Sequence, residues 1–215
     1  MPHASLNIIL HEHRALSAML RSITLLLDDH RRRGTLPDFD ALQAMLFYIG
    51  EFPEKLHHPK ENLLLFPRLR GRAPRIDAVL DRLEHEHANG ERTIRDLEHA
   101  LLAFKMMGDS TQREARRADF DAAMTRYVAF YLEHMHVEET EVLPFAQAVL
   151  GPEDWAEIDA AFLANRDPLA GYEADEAYRP LFNKILGALD GCGSFASVLE
   201  ALAGTARPRF GAPRT

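Results

Sequence analysis

Two stretches of the chain place histidine, glutamate and proline in the same order and at the same spacing. His57, Glu61 and Pro67 stand in HHPKENLLLFP, and His134, Glu138 and Pro144 stand in HMHVEETEVLP. A Glu-His pair precedes each of them inside an apolar pattern: Glu12-His13 in LHEHRAL and Glu86-His87 in LEHEHANG. Imidazole nitrogen and carboxylate oxygen both bind first-row metal ions, and a carboxylate can bridge two of them. Cys192 is the only cysteine, so neither a disulfide framework nor a thiolate metal site is available. The mixed histidine and glutamate set leans toward iron or manganese in a non-haem site. Such ligands in two similar halves are what a buried two-metal centre needs.

The elements that must carry these residues are helices. Residues four apart on an α-helix lie within about 40° of each other around the axis and about 6 Å apart along it. His57 with Glu61, and His134 with Glu138, can each reach one metal pair from one helix. Apolar residues recur at three- and four-residue spacing almost throughout, with no sustained two-residue alternation. The first helix reads Leu6, Ile9, His13, Leu16, Leu20, Ile23, Leu27 and stops at Gly34. The second starts near Asp38 as N-cap and carries Leu42, Leu46, Ile49, His57, Glu61 and Leu64. The third opens at Pro74, reads Ile76, Leu80, Leu83, His87, Ile94, Leu97, Leu101, and ends at Gly108. Thr111 to Glu114 reads as a capping box opening the fourth, which carries Phe120, Met124, Tyr127, Tyr131, His134, Glu138 and Val142. Short polar connections predict an all-α fold, an antiparallel up-down-up-down four-helix bundle with short additional C-terminal helices.

Those extra helices are expected near 153–163, 174–190 and 195–203, with Trp155, Phe162 and Phe182 as anchors on the bundle. The division reads as a metal-binding bundle over 1–150, a helical extension over 151–204 and a mobile tail over 205–215. A net charge of −8 argues against nucleic acid as a partner, since phosphate binding wants clustered Lys and Arg. The one basic run, Arg31-Arg32-Arg33, reads as the end of a helix complementing its dipole. No apolar run approaches the roughly 18 residues a membrane span needs, and the N-terminus lacks the pattern of a signal peptide. The expected setting is cytoplasmic, without a membrane partner, and a homodimer is compatible with the sequence.

Phase decides which polar residues belong to the site. His13, His57, Glu61, His87, His134 and Glu138 all fall in the apolar stripes. An unpaired carboxylate in a core costs several kcal/mol, so two among histidines demand a cation or a proton. His11 and His85 fall about 200° round the helix from His13 and His87, facing away. His58 and His136 are similarly off-phase, which assigns them surface or supporting places. Glu91 repeats the four-residue spacing after His87 and is a further candidate ligand or hydrogen-bonding partner; an ordinary solvated glutamate fits it equally. Tyr127 and Tyr131 lie on the face of His134, where core packing is the main role. A ferritin-like site, with Glu-x-x-His on two helices, fits Glu54 and His57 but meets Tyr131 at the corresponding place before His134.

The four-helix succession Glu-His, His-x-x-x-Glu, Glu-His, His-x-x-x-Glu over about residues 5–150 resembles the hemerythrin-like family, the HHE cation-binding domain. The resemblance implies a four-helix bundle holding two iron ions in an oxo- or hydroxo-bridged centre, with zinc or manganese as substitutes. It implies His13, His57, Glu61, His87, His134 and Glu138 as ligands, the two glutamates bridging. It also implies a small diatomic ligand or peroxide as partner, in sensing, stress defence or iron handling. Glu91 stands where oxygen-carrying members have a second histidine on the third helix, a departure that argues against simple oxygen carriage. The alternatives are a di-iron oxidase or peroxide-decomposing enzyme, and a bundle whose metal is purely structural. Pro53 and Pro59, flanking His57, are expected to kink the second helix beside the site.

Overall fold

The computed structural model describes residues 3–170, 172 and 176–190, and every regular element among them is helical. Helix α1 spans Ala4–Arg33 and ends on Gly34, whose φ of 64° is the left-handed C-cap that glycine takes without strain. Helix α2 begins after Asp38, which accepts from the Ala41 amide at 3.0 Å, and runs through residues 39–69. Helix α3 is Pro74–Met106, with the proline at its first turn. Helix α4 runs through residues 113–149, and α5 (Pro152–Leu163) and α6 (Arg179–Asp190) follow. Helix α3 ends two residues before Gly108, and α4 opens without a side-chain cap, so the capping box read at Thr111 to Glu114 does not form. The helix expected near 195–203 and the tail over 205–215 lie outside the described residues.

Each of the first four helices packs on the next, and α4 returns to α1. Their apolar faces form two separate clusters. One joins Leu16–Leu27 of α1 to Leu42–Phe52, Ile94–Phe104 and Phe120–Met135. The other joins Leu6–Ile9 to Leu65–Leu69, Ile76–Leu83 and Val137–Ala146. Between them lies a buried polar layer of His13, His57, His58, Glu61, His87, His134 and Glu138.

Helices α2 and α4 are not uniform. Helix α2 widens into π-helical turns at Gly50–His57 and Glu61–Leu65, and α4 does so at Glu138–Val142. A proline lacks an amide and its ring clashes with the carbonyl four residues back, and an i→i+5 turn relieves both faults. Pro53 lies within the first widened turn, and Pro67 and Pro144 follow the other two closely. Where the sequence leads one to expect a kink at Pro53 and Pro59, the hydrogen-bonding pattern changes from α to π around Pro53. Pro59 sits in the short α-helical segment His58–Lys60, and the residues stay helical throughout.

Beyond the bundle, α5 lies on α1 and α6 on α2. Trp155, Phe162 and Phe182 are all buried there. The Ser5 amide and hydroxyl both donate to Asp159 Oδ1, at 2.8 and 2.5 Å, and the His3 ring stacks on Trp155 at 4.2 Å. The start of α1 is thereby tied to α5.

Candidate metal centre

The sequence scattered its candidate ligands over four helices, and the bundle gathers six of them into one layer. His13 and His57 meet through their Nε2 atoms at 3.3 Å, and His87 and His134 meet through theirs at 3.0 Å. The glutamates lie between these pairs. Glu61 turns Oε1 toward His57 Nε2 at 3.2 Å and Oε2 toward His87 Nε2 at 3.7 Å. Glu138 turns Oε2 toward His13 Nε2 at 3.3 Å and Oε1 toward His134 and His87, at 3.2 and 3.6 Å. Each carboxylate thus faces both histidine pairs.

The histidines are held from behind by a scheme that repeats in the two halves. Glu12, just before His13, takes the Nδ1 of His57 at 2.6 Å. Glu86, just before His87, takes the Nδ1 of His134 at 2.7 Å. Glu139, just after Glu138, takes His13 at 3.0 Å, and Asn62, just after Glu61, takes His87 at 2.8 Å. An imidazole whose Nδ1 proton is committed to an acceptor presents Nε2 as a lone-pair donor. The Glu-His pairs therefore serve two helices at once: the histidine enters the layer and its neighbour supports the adjacent helix.

A fifth histidine joins the layer against the expectation from phase. His58 is buried, its ring stacked 4.1 Å from that of His87, and it clusters with His87 and His134 within reach of one ion. His13, His57, Glu61 and Glu138 form the other such cluster. The π-helical turn at Gly50–His57 explains the error, because one extra residue per turn shifts the phase by about 100° and brings consecutive histidines inward together. The signal that could have found it is Glu54, four residues earlier, which takes His58 Nδ1 at 3.1 Å. The Tyr131 hydroxyl donates to Glu54 from α4, so this tyrosine does more than pack. Glu54 itself fits only because residue 90 is glycine: a Cβ built there would fall inside the carboxylate.

Glu91 is not brought to the layer. It is exposed and paired with Arg95 at 3.3 Å, because α3 turns Gly90 rather than Glu91 inward after His87. His11, His85 and His136 are exposed, as their phase predicts.

The electrostatics of the layer ask for positive charge. Burial disfavours the imidazolium of His57, yet the carboxylates of Glu61 and Glu12 outweigh it and hold its pKa well above the ordinary value. For His134, burial is likewise overcome by Glu138 and Glu86, which raise it to about 10. Burial works against ionised Glu138 too, but its histidine neighbours keep it well below the usual carboxylate range. His58 goes the other way, lowered by burial and by the neighbouring histidines His87, His57 and His134. Burial pushes Glu54 up to about 7, the Tyr131 bond only partly offsetting it. Meanwhile all four oxygens of Glu61 and Glu138 are buried and accept no hydrogen bond. Buried carboxylate oxygens without donors are costly. A cation displacing the protons that the raised histidines hold would free their Nε2 lone pairs and satisfy the carboxylate oxygens at once, and this nitrogen and oxygen set suits first-row metal ions.

The profile of the hemerythrin HHE cation binding domain matches residues 4–146. The chain belongs to the hemerythrin HHE cation-binding domain family. No curated protein and no solved structure matches it. The hemerythrin domain accounts for the first four helices and the whole histidine and glutamate layer, while α5 and α6 lie beyond the matched span. Among the described residues no helix is long and apolar enough to cross a membrane.

Proposed function

We propose that this hemerythrin domain is an antiparallel up-down-up-down bundle holding two iron ions side by side. His13 and His57 would hold one; His58, His87 and His134 the other; Glu61 and Glu138 would each give one oxygen to either ion. The observation that carries this reading is the set of four buried carboxylate oxygens that no donor satisfies, flanked by the Nε2 atoms of four histidines and closed on one side by a fifth ring. When bound, an iron pair supplies electrons and Lewis acidity to a diatomic molecule or peroxide. The protein's own contribution is orientation: each backing acceptor fixes a tautomer, and the apolar clusters on both sides keep bulk water out.

The two half-sites differ by one histidine, because the residue after His57 is His58 whereas the residue after His134 is Met135. The half-site of His13 and His57 therefore offers one donor fewer and leaves more room for an outside ligand. A cavity borders it, with about 10 Å³ open, room for a molecule the size of water, lined by Leu16, Phe52, Leu56 and Met135 among others. We read this half-site as the place where O2, NO or peroxide would reach the metal, in a cytoplasmic protein of sensing, stress defence or iron handling.

Metal analysis and the visible spectrum of aerobically purified protein test the reading. About two irons per chain with near-ultraviolet bands are expected. His57→Ala and His58→Ala should each weaken metal binding, at opposite half-sites, by more than the roughly 10–100-fold that losing an outer partner of a ligand costs, whereas His11→Ala should leave it unchanged. Full loading of a His57→Ala, His134→Ala double variant would sink the proposal.

A further inference from the structure

The repeated backing scheme of the metal layer fails at one point, and the failure leads out of the family domain. Glu86, which supports His134, is only half-buried and takes a second donor from Arg82, one turn back on its own helix, at 2.8 Å. The equivalent carboxylate, Glu12, is buried, and the residue one turn back is Ile8. No donor can come from its own helix at that place. The donor comes instead from the loop after α5: Asn165 Nδ2 donates at 3.2 Å to Glu12 Oε2, the same oxygen that accepts from His57 Nδ1.

That loop is built to hold Asn165 still. Its amide nitrogen closes the end of α5 by donating to the Phe162 carbonyl at 2.9 Å. Two residues on, Asp167 receives the Tyr48 hydroxyl of α2 at 2.6 Å and the Leu169 amide at 2.9 Å. Phe162 meets the His57 ring edge-on, at 5.7 Å between centroids. Asn165 is itself only 2 % exposed, so its contact with Glu12 is shielded from competing water. Phe162, Asn165, Asp167 and Leu169 all lie beyond residue 146, where the family match ends, while their partners Glu12, Tyr48 and His57 lie within it.

We propose that Asn165 is a positioning residue for the half-site of His13 and His57: it fixes the Glu12 carboxylate, which in turn holds the His57 ring with Nε2 toward the ion. The inference rests on the metal reading above. It assigns the C-terminal extension a purpose, completing one half-site of the domain while the other is complete without it. Asn suits the place because it is a neutral donor: Arg or Lys would bring a buried charge, and Asp would set a like charge against Glu12.

The test uses the full chain loaded with Co²⁺ alone, following loss of its ligand-field bands to a chelator. Wild type should release two ions in two phases. Asn165→Ala should speed one phase about 10-fold and leave the other unchanged, as the loss of a supporting contact does. Asn165→Asp, which keeps the volume, should speed the same phase at least as much, and it decides the matter if the alanine variant fails to fold. In a Glu12→Ala background, Asn165→Ala should add nothing, since it acts through that side chain. Wild-type release in both variants would overturn the proposal. So would equal acceleration of both phases, or an undiminished Asn165→Ala effect in the Glu12→Ala background, which would mark a general packing role. Failure of the wild type to take up Co²⁺ would overturn the metal reading and the proposal with it.

Discussion

At the scale of single residues, the layer is governed by what stands behind each histidine rather than by the histidines alone. Four of the five Nδ1 acceptors follow one rule, the residue before a histidine or after a glutamate supporting the neighbouring helix. His58 has a private arrangement of Glu54, Tyr131 and Gly90. Gly90→Ala is informative because two effects oppose each other. Helix propensity alone should reward the change by about 1 kcal/mol. The added Cβ, however, overlaps the buried Glu54 carboxylate, and overpacking of that kind costs about 1–3 kcal/mol. Gly90→Ala should therefore lower the melting temperature and weaken metal binding, whereas Gly187→Ala in α6, where a Cβ meets nothing, should raise it slightly. Thermal unfolding of the two variants side by side checks this, and a stabilised Gly90→Ala protein would refute the role given to Glu54.

At the scale of elements, the widened turns are the device that lets α2 contribute three residues to a layer only one turn thick. They coincide with the candidate ligands: His57 closes one, Glu61 opens the next, and Glu138 opens the third. Such turns are rare and occur mostly singly at functional sites, so here they are expected to depend on what they hold. Removing the metal should loosen them first. Amide hydrogen exchange should accelerate at residues 57–65 and 134–142 in the apo protein, while Leu20–Leu26 and Leu97–Phe104, inside the larger apolar cluster, stay protected. Uniform acceleration along all four helices would mean that the metal holds the whole bundle rather than the layer.

At the scale of the whole molecule, the extension closes the bundle on the side of α1 and α2, and its polar contacts make the closure sensitive to pH. Burial pushes Asp167 up to about 6, the bonds from Tyr48 and Leu169 opposing it only in part. A carboxyl group whose pKa is higher folded than unfolded keeps its proton in the fold between about pH 4 and 6. Its effect therefore favours the folded state at low pH and is lost as pH rises through the folded value. Asp167→Asn cannot ionise, so its unfolding free energy relative to wild type, read from denaturant titrations at each pH, should rise between pH 4 and 7, by an amount on the order of a few kcal/mol at most. Comparing variant with wild type cancels the contribution of every other titrating group. A difference that stays flat with pH would show that Asp167 is ionised throughout.

The sequence by itself determined the helices, their approximate ends and six of the seven residues in the layer, because a 3.6-residue period written in Leu, Ile and Phe leaves little freedom to place His13, His87 or His134 outside. It also held the extension's anchors, since Trp155, Phe162 and Phe182 have nowhere else to bury so much apolar surface. What it could not determine is anything that depends on a departure from that period. The off-phase placing of His58, at the surface or in a supporting position, assumes an unbroken α-helix, and the π-helical turn at Gly50–His57 breaks it. Glu91 was read as a candidate because four-residue spacing leaves about 40° of latitude, which the packing of α3 resolved in favour of Gly90. The acceptors behind the histidines were invisible for a different reason: they act across helices, and Glu12, Asn165 and His57 meet only in three dimensions. Local pattern fixes which face of a helix is inward; neighbouring helices decide which atoms find a partner there.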